Sequence, residues 1–179
     1  MKFGALDFQD IANGKTLIAD PVCELVENAG LSDIYVSAID ASLSDTAQFC
    51  EHYKIGLDKS ANCEVVEAKR ADRVWYAACM ILATNRVDIN GAVRRCLDAR
   101  KVSFASVSDA TALTGMEYGG ITPIGLPGDW PILVDTRVAD ADKIIIGSGI
   151  RGSKLLVAGS LLTELPNAVK LDIAKVPGF

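Results

Sequence analysis

The chain has 179 residues, 50% of them hydrophobic and 23% charged, with a formal net charge of −5 and a mean hydropathy of +0.25. That is enough for one domain with a full core, too apolar for a disordered segment, and too acidic for indiscriminate nucleic-acid binding. The longest apolar run, Val74 to Ala83, has ten residues against the ~20 of a membrane helix, and Asp7 interrupts any leader-like start. A soluble, cytoplasmic protein without membrane contact is expected.

Asp20-Pro21 opens a helix that Gly30 closes, with Asp20 as its N-cap. Ile34 to Ile39 reads as a strand, and Ser44-Asp45 caps a second helix. Ala61 to Ala68 and Val74 to Ala83 form a hairpin across the polar stretch Lys69 to Arg73. The second of these is apolar on both faces, as a strand covered on both sides would be. Asp88 starts a helix with Val93 and Leu97 on one face, and Ser108 to Leu113 is a short helix ending at Gly115. Gly115 to Pro131 holds five glycines and three prolines, too many for a regular element. Strands follow at Ile132 to Asp135, Lys143 to Ile146 and Leu155 to Ala158, then a helix at Ser160 to Leu165 and a strand at Val169 to Ile173. Without a regular βαβ cycle, an α+β fold with a mixed sheet is favoured, in one domain spanning residues 1–179.

Five cysteines at 23, 50, 63, 79 and 96 never form a C-x-x-C pair, so reduced, mostly buried thiols are expected. His52 is the only histidine, and its polar helical setting makes it a surface residue. Charge is uneven: residues 1–68 carry 4 basic and 12 acidic side chains, residues 69–101 carry 8 and 3. The basic middle, Arg94 and Arg95 included, is either a phosphate-facing patch or a solvated helix face. Gly147-Ser148-Gly149-Ile150-Arg151-Gly152 is a literal G-x-G-x-x-G after a strand. It is rejected as a dinucleotide fingerprint, because too little chain follows and Leu155 to Ala158 reads as a strand where the motif needs a helix. These glycines are expected to shape a tight turn.

The informative loop is Thr114-Gly-Met-Glu-Tyr-Gly119-Gly120-Ile121-Thr122-Pro123-Ile-Gly125. Its glycines allow positive φ and leave main-chain N–H groups unobstructed, and Pro123 fixes the far side. Such donors suit the oxyanion of acyl transfer; the alternative is a loop that merely turns the chain.

This loop, followed by Leu133-Val134-Asp135-Thr136 and Ile146-Gly147-Ser148-Gly149, resembles the YbaK/prolyl-tRNA-synthetase-associated editing domain family. The likeness is specific over residues 110–165, looser over 44–109 and absent from the first 40. It implies a mixed, barrel-like sheet surrounded by helices, and hydrolysis of the ester between a wrongly attached amino acid and the terminal ribose of a tRNA. By matching position, Gly119, Gly120 and Ile121 would face the aminoacyl carbonyl. Thr122, Pro123, Asp135 and the Gly147-Ser148-Gly149 turn would form the substrate-binding walls. The family works without metal or other cofactor, with a substrate ribose hydroxyl assisting water. The implied partner is a tRNA acceptor end carrying an amino acid; a homodimer and a synthetase contact are further expectations.

One position departs from the pattern. Asn62 stands where the family usually has a lysine, keeping hydrogen-bond donors and an acceptor but no charge. Lys59 is nearby but three residues off, on the opposite face of a strand. Asn62 therefore also supports a noncatalytic binding module of the same fold. A third reading, a cysteine hydrolase built on Cys63, has only His52 as an imidazole partner.

Overall fold

The computed structural model describes residues 1–175. Lys2–Phe3 pairs with Leu6–Asp7, and β1 (Gln9–Asp10) and two 3-10 turns follow. Helix α1 (Asp20–Ala29) has proline in its first turn and closes at Gly30 with φ 62°. Its N-cap is Ala19, so Asp20 is a residue of the first turn, where its charge suits the helix dipole. Next comes β2 (Tyr35–Ala38), then α2 (Thr46–Tyr53), whose cap is Asp45, accepting from the N–H groups of Ala47 and Gln48.

The hairpin forms from β3 (Ala61–Arg70) and β4 (Arg73–Leu82), longer than expected because the polar residues 69–70 and 73 join the ladder and Ala71 turns at φ 51°. After Asp88 the expected α-helix is instead a π-helical turn, Ile89–Val93, running into a single α turn, Arg94–Cys96. The cause is local. The Asp88 carboxylate accepts from Gly91 and Ala92 N–H, and it lies 2.2 Å from where a Cβ on Gly91 would stand. Arg86–Val87, ahead of that turn, pairs with Ala174–Lys175 at the end of the described chain. The chain continues through β5 (Lys101–Phe104) and α3 (Val107–Thr114), capped by Ser106 and closed by Gly115 at φ 66°. The remaining elements are β6 (Ile132–Asp135), α4 (Thr136–Ala139), β7 (Ile144–Gly147), β8 (Ser153–Val157), α5 (Gly159–Thr163) and β9 (Ala168–Leu171).

Two larger sheets result. One runs β9-β6-β4-β3-β5, with β6 parallel to both of its neighbours and the other pairs antiparallel; the other runs β7-β8-β2-β1, all antiparallel. They share a main core and are joined by one β-bridge, Ser60 to Ile145, and no closed barrel forms among the described residues. The main core includes Val22, Val36, Met80, Val134, Ile146 and Leu155, while Cys79 joins Val66, Val93 and Leu133 in a second cluster. Adjacent β4 residues thus enter different clusters, as its apolar run requires. Cys50 and Cys79 are buried, Cys23 and Cys63 half-buried and Cys96 exposed, which corrects the expectation of mostly buried thiols. No described helix is long and apolar enough to cross a membrane.

Candidate active site

The start of β3, the turn ahead of α2, the glycine loop and the entry to β8 converge on an open cleft of about 420 Å³. Its walls include Ser44, Asp45 and Thr46; Asn62, Cys63 and Glu64; Tyr118, Gly119 and Ile121; and Gly147, Arg151 and Lys154.

The glycine loop holds its shape by clasping the turn between β7 and β8. Gly149 N–H donates to Gly120 O at 2.7 Å, and Glu117 N–H donates to Gly149 O at 2.9 Å. A Cβ on Gly147 would stand 2.4 Å from Gly120 O, and one on Gly120 would stand 2.5 Å from the Ile150 backbone, so both approaches demand glycine. Gly119 turns at φ 89°, where a side chain is strained. Gly120 N–H is spent on Glu117 O, whereas the N–H groups of Gly119 and Ile121 find no acceptor among the described residues.

The charges are set by burial. Desolvation raises the carboxyl of half-buried Glu64 above its ordinary range and lowers the Lys154 ammonium below its own. The Cys63 thiol is pushed well above its ordinary range by burial, opposite to what a nucleophilic thiolate needs. Burial pushes Cys79 up to about 12. Asn62 Oδ1 accepts from Thr46 Oγ1 at 2.7 Å, which leaves the amide donors of Asn62 available.

A family model described as an aminoacyl-tRNA editing domain matches residues 40–165. The chain belongs to that family. Solved structures of low identity share its fold. One is described as a candidate trans-editing enzyme for prolyl tRNA synthetase: 17% identity, TM-score 0.75, covering 87% of this chain and 95% of the other. Another is the hypothetical protein APE2540, at 20% identity and TM-score 0.77, with coverage of 87% and 100%. The family match leaves out the first 39 residues.

Within this editing domain, four of the sequence-predicted residues meet at the cleft: Asn62, Gly119, Ile121 and Gly147. Gly120, Thr122, Pro123, Ser148 and Gly149 are buried and not on its lining. Thr122 is fully buried and its hydroxyl has no partner among the described residues; Ser148 Oγ is satisfied by Ser153 and the Ile150 carbonyl. Asp135 is not on the lining either. Its fully buried carboxylate caps α4 through Arg137 N–H at 3.0 Å, accepts from Ile173 and Ala174 N–H at 3.1 Å, and takes the Arg137 guanidinium. All its acceptor capacity goes to holding the chain together, away from the cleft. The G-x-G-x-x-G turn leads into strand β8, not a helix, and Asp172 is exposed beside Arg137.

His52 is exposed on α2, its ring edge-on to Tyr53, and is not on the cleft. Lys59 ends a 3-10 turn before β3 and is likewise absent from the lining. Sequence reasoning missed Thr46, Arg151 and Lys154. The Lys154 signal was present, a charge opening an apolar strand, but β8 starts two residues earlier than its apolar run suggested.

Proposed function

We propose that this editing domain hydrolyses mischarged aminoacyl-tRNA, acting in trans in the cytoplasm as a single domain on the acceptor end. Water adds to the ester carbonyl carbon, the bond to the ribose oxygen breaks, and that oxygen leaves with a proton. The products are a free amino acid and an uncharged tRNA. The observation that carries the reading is the pair of unspent N–H groups, at Gly119 and Ile121, on a loop lining the same cleft as the Asn62 amide. Fixed donors of this kind stabilise a carbonyl oxygen as it becomes an oxyanion, each by roughly 10²–10³ in rate. The vicinal ribose hydroxyl of the substrate assists the water, so no histidine is required at the cleft. A backbone oxyanion site is indifferent to chelators and thiol reagents.

The alternative, a noncatalytic binding module, draws on Asn62, which brings no charge and whose oxygen is engaged by Thr46. Single-turnover deacylation of a panel of mischarged tRNAs separates the two. The hydrolytic reading expects turnover by the parent. It expects a loss of about a hundredfold in Gly119→Ala, whose Cβ would stand 3.0 Å from Ser44 Oγ on a residue at φ 89°. Binding without release of amino acid by the parent leaves the binding module standing.

A further inference from the structure

Lys154 lies in β8 between Gly147 of β7 and Ser37 of β2, and its side chain forms part of the cleft wall. It is only 7% exposed. Its Nζ sits 5.3 Å from the centroid of the fully buried Phe49 ring. No carboxylate forms an ion pair with it among the described residues, and Asp45, the carboxylate whose charge acts on it, is engaged in capping α2. The other cation of the cleft is differently placed: Arg151 is exposed and its guanidinium reaches the Ala41 carbonyl.

Removing an ammonium from water without a counter-charge is costly, and a ring face returns only part of that cost. Packing does not explain the charge, since a methionine would fill the same volume. A cation withdrawn from most of its water, yet still reachable at the wall of an open cleft, is half of an ion pair whose other half arrives with the ligand. We propose that Lys154 is the anion receptor of this cleft, meeting a phosphate or carboxylate oxygen of the bound substrate. The identity of that substrate rests on the hydrolytic reading above; the anion site itself does not. An aminoacyl-tRNA end offers two sources of such oxygens: the phosphodiester of the terminal nucleotide, and the side chain of an acidic amino acid.

The test uses the full chain, Lys154→Met, which keeps the stem and drops the charge, and Lys154→Arg, which restores it. Adenosine 5′-monophosphate and glutarate are titrated against each protein. The expected result is a weakening of about ten- to a hundredfold in Lys154→Met for one of these anions, recovered in Lys154→Arg, while the melting temperature of Lys154→Met holds or rises. Equal affinities for both anions in parent and Lys154→Met overturn the inference. If Lys154→Met does not fold, the parent alone decides. Its Lys154 side-chain resonance should shift with one of the anions and not with adenosine, and no shift with either anion overturns the inference.

Single-turnover deacylation then assigns the source. An equal loss on tRNAs charged with neutral and acidic amino acids means the phosphate. A loss confined to acidic ones means the carboxylate. A parent that deacylates nothing but loses anion binding in Lys154→Met refutes the hydrolytic reading and keeps this one. A parent that deacylates, with Lys154→Met matching it in binding and rate, does the reverse.

Discussion

Asp135→Ala separates a residue of the cleft from a residue of the frame. The substitution removes the acceptor of three backbone N–H groups, from Arg137, Ile173 and Ala174, and the buried partner of the Arg137 guanidinium. The guanidinium keeps Asp172 at 3.0 Å, so the main loss is the backbone donors. A buried donor left unpaired costs about 1–3 kcal/mol, and breaking a buried charged partner costs about 3–5 kcal/mol in all. Since these contributions overlap, a total of about 3–5 kcal/mol is expected. In a chain of this size each kcal/mol moves the midpoint by about 2–4 °C, so the melting temperature should fall by roughly 6–20 °C. Thermal and urea unfolding measure that loss. Single-turnover deacylation, run well below the new midpoint, should match the parent. A variant that kept its melting temperature and lost tenfold or more in rate would show that Asp135 faces substrate, and the assignment to the frame would be wrong.

Thr122→Val should be neutral or stabilising by about 1 kcal/mol, because the hydroxyl it removes is buried and unpartnered among the described residues; a marked loss of stability would reveal a partner. Glu64→Gln should raise the melting temperature at pH 7. Burial raises the folded pKa of Glu64, so its favourable contribution is complete below the solvated value of 4.5 and is lost as pH climbs through the raised one. The advantage of glutamine should therefore vanish below about pH 4.5, and a gain independent of pH would refute the cause. Reversing exposed Arg94 and Arg95 to glutamate should weaken tRNA binding and lower its salt slope by about 0.7–0.9 for each phosphate no longer neutralised. Unchanged affinity at low and high salt would mark that turn as solvated surface only.

Much of the fold was legible because its signals are local. The β3–β4 hairpin announced itself by two β-rich runs about a polar stretch, and α1 and α3 by a proline start and glycine stops. The π-turn at Ile89–Val93 was not legible, because the spacing of Val93 and Leu97 fits an α-helix equally well and only the reach of the Asp88 carboxylate over Gly91 decides. At the site, the glycine loop stood out by composition, but composition does not say which glycine faces outward. Gly119 lines the cleft and Gly120 turns its back, a difference set by Ile150 from the turn before β8. Asp135 was placed on the wall by its matching position in the family pattern; its partners Ile173 and Ala174 are brought to it only by the fold. Lys154 was overlooked for the same reason, since its burial depends on Phe49 from a distant helix.

The clasp between the glycine loop and the β7–β8 turn bears on how this site could be moved or built anew. The loop contains no regular secondary structure, and its geometry is borrowed from Gly147, Gly149 and Ile150. Grafting the loop alone onto another scaffold would therefore carry its letters without its shape, while the two segments transplanted together would form a self-templating unit. The same dependence sets an order of assembly. The glycine-loop wall of the cleft cannot be complete until the β7–β8 pair has docked, and it unravels with the sheet that templates it.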